Sequence, residues 1–111
     1  MPWIPELTVE QLAARLANPP DTHPLLLDVR RPDEHQYVAL PDSVLIPLDE
    51  LEDRVDELDA HRGREVVVYC HHGIRSKKGA AVLLAAGFSA RSLKGGIHDW
   101  ARVIDKTMAR Y

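Results

Sequence analysis

Residues 65–70 read Glu-Val-Val-Val-Tyr-Cys, and this run restricts the fold more than any other stretch of the chain. Successive side chains of a strand point to opposite faces. Three valines, a tyrosine and a cysteine in a row therefore put apolar groups on both faces at once. Such a strand is at home in a parallel sheet whose two faces are both covered by crossover helices. Leu25 to Val29 is a second run of this kind, broken only by Asp28 and too short for a typical helix. Ser43 to Ile46, framed by Pro41 and Pro47, is a shorter one, and Ala90 to Leu93 is a last short strand.

Helical patterns fill the gaps between these runs. Leu7-Thr8-Val9-Glu10-Gln11 predicts a helix start, with Thr8 as cap and Gln11 closing a capping box. Leu7, Leu12 and Leu16 supply its apolar positions, and Asn18-Pro19-Pro20-Asp21 stops it. Arg31-Pro32-Asp33-Glu34 is a turn or a helix start, with a short helix from Glu34 to Val38. Leu48, Leu51, Val55 and Leu58 recur at helical spacing among acidic residues and predict an amphipathic helix with one wet face. Ser76 to Ala86 is a further helix, with Gly87 as its C-terminal cap. Gly95-Gly96 predicts a tight turn, and Ile97, Trp100, Val103 and Ile104 form a last helical stripe. The alternation predicts an α/β fold, a small, mostly parallel central sheet with helices on both faces. The length of 111 residues suits a single domain over 1–111, with 105–111 as a tail.

No apolar run approaches the roughly 18 residues of a membrane helix, and the opening MPWIPELTVEQ lacks the charged and apolar regions of a signal peptide. The single cysteine rules out an intramolecular disulfide, so a reducing compartment and a cytoplasmic location are expected. The basic residues lack interleaved aromatics and the net charge is −3, which gives no footing for nucleic-acid binding. That charge is unevenly spread. Residues 1–59 hold 14 acidic and 4 basic side chains, a balance of −10, and residues 60–111 hold 3 and 10, a balance of +7. The basic half contains Cys70. The asymmetry either draws an anionic substrate to Cys70 or decorates solvated helix faces.

Cys70 ends the strand run, and ligands of parallel α/β sheets gather beyond the carboxyl ends of the strands. The residues after it lead into a helix N-terminus, where free N–H groups and the helix dipole favour negative charge. Gly73 lets the chain turn closely, and Arg75, Lys77 and Lys78 add positive charge. Thiols in such settings ionise more readily than free ones, so Cys70 is a candidate nucleophile, with a buried core cysteine as the alternative. His71 and His72 are expected to line the pocket mouth. A zinc site needs three or four ligands, and the sequence shows no second Cys/His cluster beside this pair, so no metal or other cofactor is expected. His23, His35, His61 and His98 are scattered, with surface positions expected. Sulfur attack by a thiolate needs no general base, which suits a site built on one thiol.

Four segments in order resemble the rhodanese-like sulfurtransferase family: LLLDVRRPDEH, ALPDSVLIPLDEL, YCHHGIRSKKGAAVLLAAGF and SLKGGIHDW. The resemblance implies the rhodanese-like fold and a persulfide mechanism. Cys70 would take a sulfane sulfur from thiosulfate or another small anionic donor and pass it to a thiol or cyanide-type acceptor. The amides of His71, His72, Gly73, Ile74, Arg75 and Ser76 would cradle the persulfide, and Arg75 would close the cradle. Asp28, Arg30 and Glu34 would support the loop, with Glu34 or Asp28 pairing with Arg75. The spacing C-x4-R is one residue shorter than the C-x5-R of related phosphatases, which favours sulfur over phosphate. A phosphatase or arsenate reductase of the same fold, or a non-catalytic binding module, are the alternatives. Asp42 and Ser43 depart from the usual Gly-Ala, and His71-His72 matches neither the thiosulfate nor the mercaptopyruvate pattern. Gly79 stands where alanine is usual and predicts close packing on the sheet. The segment GGIHDWARVIDKTMARY resembles the end of rhodanese domains fused to adenylyltransferases, which implies a role in sulfur delivery to a sulfur-acceptor or carrier protein.

Overall fold

The computed structural model describes residues 3–111; the first two residues of the expected domain lie outside it. Five strands form one sheet in the order β1-β5-β4-β2-β3, with every neighbouring pair parallel. They are β1 (Glu6–Leu7), β2 (Leu25–Asp28), β3 (Val44–Leu45), β4 (Glu65–Tyr69) and β5 (Ser89–Leu93). The connections carry α1 (Val9–Leu16), α2 (Pro32–Tyr37), α3 (Leu51–Arg54), α4 (Arg75–Ala85) and α5 (Gly96–Asp99), the last running into a π turn at Trp100–Ile104. Among the described residues, no helix is long and apolar enough to cross a membrane.

The triple valine does what its sequence demands. β4 is the middle strand, and its alternate side chains enter two separate cores. Val66, Val68 and Cys70 join Leu51, Leu58, Ala80 and Leu83 on the α3 and α4 face. Val67 and Tyr69 join Leu12, Leu93, Ile97 and Trp100 on the α1 and α5 face. Tyr69 carries a polar tip into that second core, where its hydroxyl accepts from Leu40 N–H at 3.1 Å and meets Ser43 Oγ at 2.9 Å. Burial pushes its phenol up to about 12.

Gly79 faces the sheet, where an added Cβ would stand 3.0 Å from Val68 Cγ1 and 3.2 Å from Val29 Cγ1. The helix thus lies on the sheet at a separation that leaves no room for a methyl group. The capping box at α1 is present in both directions, Gln11 N–H to Thr8 Oγ1 and Thr8 N–H to Gln11 Oε1.

Two elements depart from the sequence reading, and at α2 the helix-start alternative holds. Leu7 belongs to β1, a two-residue edge strand paired with β5, rather than to the helix. α2 starts at Pro32, whose fixed φ suits the first helical position, while Glu34 turns back to accept the Arg31 N–H at 3.0 Å. The acidic segment from Leu48 to His61 is a 3-10 turn, one turn of α-helix and a longer 3-10 stretch. Leu51 and Leu58 are nonetheless buried together. Like charges three and four residues apart destabilise a regular helix there, and only the apolar anchors are preserved.

Candidate active site

Cys70 follows the last residue of β4 and is 1% exposed. Its Sγ accepts the N–H of Gly73 at 3.1 Å and of Ser76 at 3.4 Å, and lies 3.4 Å from Ser76 Oγ. Ser76 Oγ is in turn 2.8 Å from Ser92 Oγ, and both serines are fully buried. The sulfur therefore sits in a cup of backbone amides and one hydroxyl at the N-terminus of α4, a setting that favours negative charge on it.

Two glycines make the cup possible. Gly73 has φ +99, and a Cβ there would press on the backbone of Leu93 and Gly95. Gly96 has φ +62, and a Cβ there would collide with the carbonyl oxygens of Cys70 and His71. With no side chain in the way, the first turn of α5 caps those same carbonyls. Ile97 N–H donates to Cys70 O at 2.9 Å and His98 N–H to His71 O at 3.0 Å. The Gly95-Gly96 pair is thus the clamp that fixes the floor of the loop.

Arg75 is not a free cation. Its Nη1 and Nη2 donate to Glu34 Oε1 and Oε2 at 2.7 and 3.0 Å. The Arg75 guanidinium holds the Glu34 carboxyl well below the usual carboxylate range, against its own burial and with help from Arg31 N–H and Tyr111 O–H. Asp28 does not pair with Arg75. It takes Arg30 Nε at 2.9 Å and Arg30 Nη2 at 2.7 Å, and His35 Nδ1 lies 2.8 Å from it. His35 is thereby only 29% exposed and is a buttress rather than the surface residue expected. Lys77 reaches Glu6, and Arg91 and Arg15 reach Glu65. Of the ten basic side chains of residues 60–111, Arg62, Arg75 and Lys77 pair with acids of residues 1–59. At the sulfur itself the groups within hydrogen-bond reach are the amides of the helix start and the Ser76 hydroxyl.

The sequence does not single out Tyr111, Ser92 or His98. The Tyr111 hydroxyl donates to Glu34 Oε2 at 2.7 Å and accepts from Arg30 Nη1 at 2.7 Å, and its ring stacks on His71 at 3.8 Å between centroids. Residues 105–111 carry no regular secondary structure, but their last side chain ties Arg30, Glu34 and His71 together. Nothing in the spacing of the tail signals this. Of the remaining loop residues, His71 is half-buried, His72 exposed, and Ile74 projects outward at 73% exposure.

A cavity of about 290 Å³ opens beside Arg75, lined also by Val29, Arg30, Arg31 and Leu48. A larger one of about 660 Å³ lies toward the amino ends of β2, β3 and β4, against Leu25, Val44 and Arg64. Asp42 lines that second cavity, so the departure at Asp42 stands away from the thiol. Its φ of +60 explains why glycine is usual there.

The fold and the cup define a parallel α/β domain with one buried thiol at the carboxyl end of its central strand. Residues 8–103 match the family model described as Rhodanese-like domain, and the chain belongs to that family. It is 37% identical over 98 residues to a protein named Sulfurtransferase from Allochromatium vinosum, covering 87% of this chain and 88% of that one. It is 33% identical over 106 residues to Adenylyltransferase and sulfurtransferase uba4 from Ogataea parapolymorpha, covering 95% of this chain but 25% of that one. Among solved structures, Thiosulfate sulfurtransferase from Pseudomonas aeruginosa superposes with a TM-score of 0.81 at 30% identity, over 96% of this chain and 20% of that one.

Proposed function

We propose that the chain is a sulfurtransferase that carries sulfane sulfur as a persulfide on Cys70. The observation that carries this reading is the amide cup around Sγ, with Gly73 and Ser76 N–H both directed at it. With thiosulfate as donor, the Cys70 thiolate attacks the outer sulfur. The new S–S bond forms as the donor's S–S bond breaks, and sulfite leaves with the electron pair. The terminal sulfur of the persulfide carries the negative charge, which the amides of residues 71–76 stabilise. A thiolate or cyanide then attacks that sulfur and releases the Cys70 thiolate. Electrons and atoms balance without a cofactor, and no proton need be taken from a carbon or oxygen centre.

Arg75 and Glu34 act as a neutral pair that holds the start of α4 against α2. They position the cup rather than supply its charge, and Arg30, Asp28 and Tyr111 brace Glu34 from behind. The four-residue spacing from Cys70 to Arg75 favours a single sulfur over a tetrahedral phosphate. The likeness to a quarter of the length of Adenylyltransferase and sulfurtransferase uba4, and to a protein named Putative sulfur carrier protein YrkF, supports a carrier protein as the natural acceptor. In cells this predicts that Cys70→Ser lowers thiolated products, and normal levels of all of them would remove the delivery role.

In vitro, thiosulfate and cyanide are supplied and thiocyanate is measured, alongside hydrolysis of an aryl phosphate. Thiocyanate formation that is lost in Cys70→Ser supports the reading. Aryl phosphate hydrolysis without thiocyanate would replace it with the phosphatase reading.

A further inference from the structure

The sequence leaves His71 and His72 without companions, but the fold does not. α5 brings His98 to them, and one ring nitrogen from each of the three lies within 4.8 Å of the other two. The ring centroids are 4.0 Å apart for His71 and His72, 4.8 Å for His72 and His98, and 6.0 Å for His71 and His98. His98 is half-buried rather than at the surface position expected.

Two further observations point to a ligand. His71 Nε2 and His98 Nδ1 are buried and have no hydrogen-bond partner. A buried imidazole nitrogen left alone loses its hydration for nothing. The backbone under the cluster is also fixed. His98 N–H is bonded to His71 O, and Gly96 makes that approach possible. Tyr111 stacks on the far side of His71 and holds its ring. The three rings are therefore presented together by a rigid turn and not gathered by chance on mobile loops.

We infer that His71, His72 and His98 form a binding site for one divalent first-row transition ion of the zinc, nickel or copper class. Three imidazoles suit such ions and leave a fourth position open to water or a small anion. Three nitrogens around one tetrahedral ion stand about 3.3 Å apart, given bonds of about 2.0–2.1 Å. Closing from the observed spacing of up to 4.8 Å takes about 1.5 Å. Hard ions such as magnesium and calcium prefer oxygen donors and are excluded. The site is separate from the thiol cup but built on its loop, because His71 directly follows Cys70.

The test must separate this site from simple thiolate binding by Cys70. Zn²⁺ is titrated calorimetrically into the Cys70→Ser protein, and the ring nitrogens are followed by long-range ¹H–¹⁵N NMR. The expected result is one ion per chain, with a Kd of about 10 μM or tighter and ring-nitrogen shifts confined to His71, His72 and His98. His72→Gln and, separately, His98→Ala in that background should each weaken binding by at least about 10-fold. His72 is exposed, so its variant reports on the site even where His98→Ala disturbs the fold, which circular dichroism checks. No binding to Cys70→Ser at about 100 μM Zn²⁺ overturns the proposal. So does binding that His72→Gln leaves unchanged.

Discussion

Replacing Glu34 with glutamine removes one charge from the network and little else. Glu34 is 5% exposed and accepts four hydrogen bonds, two from Arg75, one from Arg31 N–H and one from the Tyr111 hydroxyl. Deleting one partner of a fully buried ion pair costs about 3–5 kcal/mol. Here the Arg75 side chain is 33% exposed, so water takes up part of its orphaned charge. Glutamine also keeps one acceptor oxygen. The expected loss is therefore about 2 kcal/mol, a fall in Tm of about 8 °C for a domain of this size.

The pH dependence makes the claim specific. The folded-state pKa of Glu34 is depressed by Arg75. A depressed carboxylate contributes stability that is complete above its unfolded value, about 4.3, and is lost as pH falls below it. The loss is about 1.4 kcal/mol per pH unit. Wild type should thus lose its advantage over Glu34→Gln between about pH 4.3 and pH 3, where the two thermal transitions converge. Differential scanning calorimetry on both proteins across that range measures the gap directly. A gap as wide at about pH 3 as at neutral pH, or no gap at neutral pH, would falsify the assignment of Glu34 as the charged anchor of Arg75.

Other substitutions probe the scaffold. Gly79→Ala gains about 1 kcal/mol of helix propensity but pushes a methyl against Val68 and Val29, and overpacking costs about 1–3 kcal/mol. Urea denaturation should show net destabilisation, and a more stable variant would show that α4 can lift from the sheet. Gly96→Ala drives a Cβ into the carbonyl oxygens of Cys70 and His71. It should abolish thiocyanate formation while much of the far-UV circular dichroism remains, and wild-type turnover would show that the clamp does not position the loop.

The fold was legible because its strands are apolar on consecutive positions. Val66 to Tyr69 cannot satisfy any sheet that is open on one face, and the helix between Cys70 and Gly87 has its start and stop written in residue types. β1 was illegible because two residues carry no periodicity, and it exists only through pairing with β5. The broken helix over 48–61 shows the limit of a pattern argument. The leucine spacing placed Leu51 and Leu58 in the core, but backbone regularity depended on charges that the apolar pattern ignores. At the site, Cys70 and the turn at Gly73 could be read from position, since a strand end and a helix start follow one another there, while the part of Ser76 came only with the family resemblance. Which acid holds Arg75 could not, because Asp28 and Glu34 are six residues apart and both lie near the loop. Tyr111 and His98 reach the site through tertiary contacts between distant segments, and local sequence is silent about those.

The central claim is that sulfur resides covalently on Cys70. Intact mass spectrometry of the reduced protein after incubation with thiosulfate tests it most directly, with peptide mapping to locate the change and cyanide added to a second aliquot. The account predicts a gain of one sulfur atom on Cys70, removed by cyanide with release of thiocyanate and absent from Cys70→Ser. An unchanged mass with thiosulfate, mercaptopyruvate and a low-molecular-weight persulfide alike would contradict it.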